Sequence, residues 1–543
     1  MPKSKFLKLL LYLFLLFVVL SGVWTAVNFI GTSVSLGQPA IARATEITGI
    51  EYPVDDNGDL EYLKLINAKQ MISVKVDNNA VVPIVRNCDP KILDLHPDSF
   101  FFLLGIARPD KEGQKFEPAT NWLSNNVLEQ PKRGAPRGST ARKNSAPSAA
   151  QFVEFATNNP WTDDELPELV RWLEAMAEPI NAFAKASERD KFYLPTVVSD
   201  SENARFFNVR KELIWYFKEL GPVFKIQANR CLGNEDYEGW LENIDTIYRF
   251  GSLVSKGNSI PHQLVALGLH RLGDEAIVSA AAGGKLNAEQ LHELLKKLTD
   301  MRPINGMASS IRHGERLLGL DFISQCAREG SRALIGPGNR PSLHKSILLS
   351  AADYNHCLEM MNADFEQVAK ITELPENEIQ QAANDFDSAM EARDRKHSNV
   401  MTSAMAFLAG RSAKGKYVGD QFSLMMMPAP QAFAESILRR STIRTMTKLA
   451  IQLELYKLKN GNYPDRLDEL VPEFVAKIDN DLYSGSPFSY QLNDGKYVLY
   501  SWGSNGQDDL GPAGESPKSL RDISLSQTRF QRWQEFLDAA AAE

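Results

Sequence analysis

The chain has few of the residue patterns that mark disulfide frameworks or common catalytic sites. Its 543 residues include only four cysteines, far apart and without a Cys-x-x-Cys pair: Cys88, Cys231, Cys326 and Cys357. This spacing supports no particular disulfide pairing, and buried free thiols are what we expect in a large core. His-Glu-x-x-His, Gly-x-Ser-x-Gly and Gly-x-Gly-x-x-Gly motifs are also missing. Sequence motifs therefore identify no reaction, although a hydrolase whose site residues are far apart in sequence stays open.

A large excess of positive charge is missing as well. The formal net charge is -8, which argues against a protein that binds nucleic acid through phosphate contacts. The one basic stretch is residues 131–150, which is rich in Pro, Gly and Ser, carries only Lys and Arg as charges and has no aromatic residue. We therefore predict no nucleic-acid partner and interpret 131–150 as a flexible basic linker.

Residues 6–30 form a long apolar stretch near the N-terminus. Lys3, Lys5 and Lys8 precede an uncharged stretch from Leu9 to Ala42. About 25 helical residues at ~1.5 Å each give ~37 Å, enough to cross a hydrocarbon core of ~30 Å. The preceding lysines predict a single-pass helix in the inner membrane, with the bulk of the chain on the periplasmic side. A cleaved signal peptide is the alternative, but a cut after Ala26 would place bulky Trp24 at the cleavage site.

Residues 151–428 carry successive apolar stripes at helical spacing. Thr162-Asp-Asp-Glu165 is typical of a capping box and predicts the start of a helix, and Asn287-Ala-Glu-Gln290 predicts another. Glycine-containing junctions at Leu232-Gly233-Asn234 and Gly283-Gly284 indicate stacked helical hairpins. No fixed period recurs, so we do not predict a regular repeat array.

Two segments in this region match known ligand sites only in part. Residues 410–417 nearly match the phosphate-binding P-loop, but Tyr417 stands where Ser or Thr would hold Mg²⁺, so we predict no phosphate site. Asp353, His356 and Glu359 are spaced by three residues and can share one helical face. They form either a metal site or a solvated polar stripe.

The C-terminal region has the clearest local signals. Apolar residues at three- and four-residue steps within Ile443–Tyr456 predict an amphipathic helix, with Gly461 as its C-cap. Phe488–Leu492 and Lys496–Trp502 alternate as strands do, and Asn493-Asp-Gly495 between them is a hairpin signal.

This region resembles the periplasmic part of the major pseudopilins of type II secretion. The matching residues are Leu455-Tyr456, Asn460 to Pro464, Leu467, Leu470-Val471-Pro472, Tyr500 to Gly503 and Asp508-Asp509. Pilins and pseudopilins carry a Gly-Phe cleavage site and a Glu within the apolar helix, whereas Met1–Leu20 contains neither Gly nor Glu. We therefore expect no processing or polymerisation as a pilin. Residues 205–298 also resemble uncharacterised membrane-anchored envelope proteins of planctomycete-type bacteria, which implies no activity.

The pseudopilin resemblance implies a calcium site in the loop after the last hairpin. Ser501, Asn505, Asp508 and Asp509 occupy the matching stretch. Calcium prefers several hard oxygen ligands, and Asn505-Gly506 permits the tight turn that would gather them. The loop is shorter and less acidic than that of the family, so a water-filled turn capped by Asp508 is the alternative.

Together these features predict a mainly α protein with an N-terminal transmembrane helix, a helical-hairpin body and a small α+β module. We expect a non-enzymatic interaction or scaffold role in the envelope, linked to a secretion or pilus-like system. The alternative is an anchored hydrolase acting on envelope polymers or peptides. The predicted divisions are residues 1–33 (cytoplasmic tip and anchor), 34–130 (mixed region), 131–150 (linker), 151–428 (helical domain), 429–512 (pseudopilin-like module) and 513–543 (helical tail).

Overall fold

The computed structural model describes residues 41, 43–112, 115–127, 147–198, 209–301, 304, 306–330, 349, 352–397, 410–493, 495–510, 523–526 and 531–536. This part of the chain is mainly helical, which confirms the predicted fold class at that level. The predicted anchor at 1–33 and most of the predicted linker at 131–150 lie outside the described residues. Within the described ranges, no helix combines the length and hydrophobicity needed to cross a bilayer.

Within the described ranges, nine short helices precede the main body. They are α1 Ala44–Thr48, α2 Tyr62–Gln70, α3 Val81–Asn87, α4 Pro90–Leu93, α5 Asp98–Leu103, α6 Ala119–Asn126, α7 Ala149–Asn158, α8 Pro167–Ala175 and α9 Ala177–Ser187. The predicted capping box at Thr162 forms a turn instead, in which the Thr162 N–H donates to Glu165 Oε2 at 2.9 Å. Helix α8 begins later, at Pro167, because proline fits the first helical position.

Four longer helices form the centre of the body: α10 Glu212–Gly233, α11 Tyr237–Val254, α12 Ile260–Ala282 and α13 Ala288–Asp300. Helix α10 packs on α11 and α11 packs on α12, as the hairpin predicted at Gly233 requires, whereas α13 has its main contacts with the later helix Pro430–Asn460 rather than with α12. The capping box at Asn287 and Gln290 is present. Around these helices lies the first core, whose largest buried side chains include Trp161, Trp172 and Trp240.

A second group of helices encloses the second core. It contains α14 Met307–Ser310, a π-helical turn Ile311–Glu315, α15 Arg316–Glu329, α16 Tyr354–Ile371, α17 Glu376–His397 and α18 Arg411–Met426. Ile41, the first described residue, is 2% exposed and belongs to this core. Residues 410–417, which nearly match a P-loop, form the start of α18, and Lys416 is exposed on the surface of that helix.

The long helix α19, Pro430–Asn460, takes part in all three cores. Phe433 and Leu438 near its start lie in the second core, and Ile451 and Leu455 lie in the first. Ile443, Met446 and Leu449, between these two groups, belong to the third core under the C-terminal sheet. The helix ends at Gly461, whose φ of 86° confirms the predicted C-cap.

The third core is covered by a three-stranded antiparallel sheet in the order β1-β2-β3. The strands are β1 Ser489–Asn493, β2 Lys496–Ser501 and β3 Ile523–Ser526, and Gly495 in the hairpin turn has a φ of 72°. The first two strands and their turn agree with the prediction, whereas β3 was not predicted. In the register, Ser489 pairs with Tyr500 and Ser501 with Ile523.

The chain then returns to the body through a helical turn at 533–536. Trp533 and Phe536 stack on each other with their ring centroids 5.2 Å apart. Both pack against Phe155 of α7, and Gln531 N–H donates to Asn159 Oδ1 at 2.8 Å. Residues 531–536 of the predicted tail are therefore docked on the first core, whereas residues 523–526, predicted as part of a helical tail, form β3 over the third core.

All four cysteines are free thiols. Cys88, Cys326 and Cys357 are buried, and burial raises the pKa of the Cys88 thiol to about 12. They are core residues rather than reactive thiols.

Candidate functional site

The four predicted calcium ligands lie at the end of β2 and in the loop 502–510 that follows it. Ser501 is buried, and its hydroxyl donates to Asp481 Oδ1 at 2.7 Å. Asp481 Oδ2 also accepts from the Trp502 N–H at 3.2 Å, and the Asp481 side chain is 1% exposed. The Ser501 hydroxyl therefore contacts a carboxylate that was not predicted, because Asp481 is twenty residues upstream and no local pattern links the two.

The other three predicted residues form hydrogen bonds within the loop. Asn505 Nδ2 donates to Asp509 Oδ2 at 3.0 Å, and Asn505 Oδ1 accepts from the Gln507 N–H at 3.0 Å. Asp508 Oδ1 accepts from the Leu510 N–H at 2.9 Å. The loop thus brings Asn505 and Asp509 together, and its side-chain oxygens accept hydrogen bonds from N–H groups of the loop itself. This is the arrangement expected of a turn capped by Asp508.

The predicted polar stripe on α16 is present on one helical face. His356 Nδ1 lies 3.1 Å from Glu359 Oε2, and His356 Nε2 lies 4.0 Å from Asp353 Oδ2. The nearer partner of Nε2 is the Ser412 hydroxyl, at 2.8 Å. Among the described residues, no group of three or more His, Cys, Asp or Glu side chains is arranged to hold a metal ion.

A buried polar network joins the body to the long helix. The Tyr248 hydroxyl donates to Asp274 Oδ1 at 2.6 Å, and Arg444 Nη2 lies 3.0 Å from the same carboxylate. Arg444 Nη1 also donates to Met301 Sδ at 3.1 Å. Burial raises the pKa of Asp274, and the charge of Arg444 opposes that rise. The network fixes α19 against α11 and α12, because it joins one side chain from each of these helices around the buried carboxylate of Asp274.

An open cavity of about 730 Å³ lies beside this network, with Tyr248 and Met301 in its wall. Its charged lining carries both signs: Arg189, Arg249, Lys256, Lys296 and Lys297 against Glu188, Asp245, Glu293 and Asp300. Lys297 pairs with Asp245, and Arg249 pairs with Glu242. This mixture gives the cavity no strong preference for an anion or a cation.

A smaller groove of about 420 Å³ lies where the end of α19 meets α13 and the segment after Leu470. Leu455, Leu458, Leu295 and Phe474 form its apolar wall, and His292, Lys459 and Glu473 form its polar edge. Leu458 is 55% exposed, which is high for a leucine on a packed helix. An exposed apolar side chain in a concave surface is typical of a protein contact.

Compared with known protein families, curated proteins and solved structures, the chain matches none.

Proposed function

We propose that the chain is a single-pass inner-membrane protein whose periplasmic body and C-terminal module bind other envelope proteins of a secretion or pilus-like system. The course of α19 is the observation that supports this most. Its 31 residues span ~46 Å at ~1.5 Å per residue. Ile41, which follows the proposed anchor, shares a core with the start of the helix. The C-terminal module packs around the second half of α19 and beyond its end, an arrangement that suits presentation of the module away from a bilayer.

The groove beside Leu458 is the surface that we propose for partner binding. It lies at the module end of α19, and its apolar wall combined with a charged edge resembles the buried centre and polar rim of protein interfaces. The polar edge contains both Lys459 and Glu473, so the partner should present an apolar side chain flanked by hydrogen-bonding groups.

We also propose that the loop 502–510 binds calcium. The proposal rests on the pseudopilin resemblance and on the contact between Asn505 and Asp509 in a loop that also carries Asp508. Binding would replace the bonds from Asn505 Nδ2 and the Leu510 N–H with metal contacts, so the loop must rearrange locally.

Topology is tested with reporters fused after Glu543. A reporter that is active only outside the cytoplasm should be active there, and the protein should stay in the membrane after an alkaline wash. Activity of a cytoplasm-only reporter, or release by the wash, would contradict the proposed anchor.

Partner binding is tested by affinity purification from solubilised membranes. Leu458→Glu should remove the co-purifying envelope proteins, because it places a charge in the apolar wall. Met425→Glu is the matched control, since Met425 is 49% exposed but lies at the end of α18, outside this groove. Equal recovery of partners with both variants would exclude the groove as the binding surface.

A further inference from the structure

A serine, a histidine and a glutamate form a hydrogen-bonded chain between α16 and α18. His356 Nε2 lies 2.8 Å from Ser412 Oγ, and His356 Nδ1 lies 3.1 Å from Glu359 Oε2. An ionised carboxylate can only accept, so in the neutral ring Nδ1 carries the proton and Nε2 accepts from the Ser412 hydroxyl. We propose that Ser412 is a nucleophile and His356 its general base, in a site that hydrolyses carboxylic esters.

Close packing between α16 and α18 sets the position of Ser412. A Cβ added at Gly415 would lie 2.4 Å from the Asp353 carbonyl oxygen, and one at Gly419 would lie 3.1 Å from Cys357 Cα. The Cys357 thiol donates to the Gly415 carbonyl at 3.2 Å. Only glycine permits this approach, which brings the first turn of α18 against the His356 side chain. The glycine that suggested a P-loop therefore has a packing role.

Glu359 acts as the positioning residue for His356. Its second oxygen, Oε1, accepts from Arg43 Nη1 at 3.0 Å, which leaves Oε2 for the imidazole. The backbone N–H of Arg43 donates to Asn355 Oδ1 at 3.1 Å, so the arginine is fixed to the same helix. Asp353 Oδ2, 4.0 Å from Nε2, places a second carboxylate beside the imidazole.

The site is open to solvent and has donors for an oxyanion. The side chains of His356 and Glu359 are 27% and 37% exposed, and Ser412 is exposed. Ser412 lies in the first turn of the 16-residue α18, whose N-cap Gly410 provides no side-chain cap. The N–H groups of Ser412 and Ala413, in this first turn, have no acceptor within the helix, so they can donate to the negative oxygen of a tetrahedral intermediate.

The reaction follows from these positions. Ser412 Oγ attacks the ester carbonyl carbon while its proton moves to His356 Nε2, and the carbonyl oxygen becomes an oxyanion. Collapse of this intermediate breaks the C–O bond, and the leaving alcohol takes the proton from Nε2. Water then attacks the acyl-serine, gives a proton to His356 and releases the carboxylic acid, with the Nε2 proton returning to Ser412.

A second Ser–His pair in the body provides an internal control. Ser252 Oγ lies 3.4 Å from His270 Nε2. His270 is 0% exposed, and its Nδ1 has no hydrogen-bond partner among the described residues. Burial, with the charges of Arg440 and Arg444, lowers the pKa of His270 to about 3. Without an orienting carboxylate or a basic imidazole, Ser252 should be inert.

The test uses the full-length protein purified in detergent and a biotinylated fluorophosphonate, which traps activated serines. Mass spectrometry should locate the label on Ser412, and Ser412→Ala should abolish it. Hydrolysis of p-nitrophenyl acetate should fall ~10²- to 10⁴-fold in His356→Gln, the range that general base catalysis supplies. Glu359→Gln should lower kcat with KM unchanged, as expected of a residue that only orients the base.

Ser252→Ala should label and hydrolyse like the native protein, and each variant should keep the native melting temperature. An unlabelled native protein would overturn the proposal, as would label that persists in a folded Ser412→Ala variant. This activity goes beyond the proposed interaction role and assigns residues to the anchored-hydrolase alternative. Neither the anchor nor the groove beside Leu458 depends on these residues. Failure of the esterase proposal would therefore leave the proposed function intact.

Discussion

The buried pair between Asp274 and Arg444 offers the sharpest test of how α19 is held on the body. Their side chains are 1% and 11% exposed, so each ion depends on the other for its stability. Arg444→Met removes the guanidinium but keeps much of the side-chain volume. Asp274 then stays buried with the Tyr248 hydroxyl as its remaining donor in the network. Breaking such a pair from one side costs about 3–5 kcal/mol at neutral pH.

This loss should appear as faster local opening rather than as global unfolding. Amide exchange in peptides that cover α12 and α19 should accelerate ~10²-fold or more, because ~1.4 kcal/mol corresponds to a factor of ten. Hydrogen exchange followed by mass spectrometry on the full chain measures this directly. Adding Asp274→Asn to Arg444→Met should recover most of the protection, since the neutral amide no longer carries an unpaired charge.

Lys459→Met is the matched control on the same helix. Lys459 pairs with Glu473, but both side chains are more than half exposed, and such surface pairs contribute about 0–1 kcal/mol. If Arg444→Met accelerates exchange no more than Lys459→Met, the buried network does not hold α19. The same conclusion follows if the double variant is as unprotected as Arg444→Met alone.

Two further predictions concern calcium and acid. Calcium titrated calorimetrically into the full chain should release heat and raise the melting temperature, and Asp508→Ala with Asp509→Ala should remove both effects; no heat with the native protein would contradict the site. Burial lowers the pKa of His262 and of His270 to about 3, whereas an unfolded histidine titrates near ~6.5. Because these histidines bind protons less readily in the folded state than in the unfolded state, they stabilise the fold only at pH values above the unfolded pKa. This stabilisation is lost as the pH falls from about 6.5 towards 3. Denaturation across this window should show a loss of up to ~1.4 kcal/mol per pH unit for each histidine, and His262→Gln should reduce that slope; an unchanged slope would show that His262 titrates normally.

Several elements of the fold follow from local sequence alone. Asn287 with Gln290 begins a helix, Gly461 ends one, and Asn493-Asp-Gly495 forms a hairpin, because capping and tight turns depend on residues only a few positions apart. The near match to a P-loop is rejected in the sequence on Tyr417, but the pattern does not predict that the segment is helical. The contact between Gly415 and Asp353 depends on a helix that the local pattern does not indicate.

The loop predicted to bind calcium also combines a contact that local sequence predicts with one that it does not. Asn505 and Asp509 lie four residues apart and meet within one turn, so their proximity was predictable from the chain. Ser501 contacts Asp481 instead, a pairing set by how the turn before β1 packs against the end of β2. Strand β3 was missed because four residues carry little alternation, and its pairing with β2 supplies the backbone hydrogen bonds that stabilise it.

By itself, the sequence determined where α13 begins, where α19 ends and the hairpin of the C-terminal module. Only the tertiary structure decided which helix faces pack against each other. Ser412 and His356 are 56 residues apart, and Arg444 and Asp274 are 170 apart, yet each pair is in contact. Such contacts depend on helix packing around shared cores rather than on local propensity, because burial is a property of the assembled chain and not of any segment.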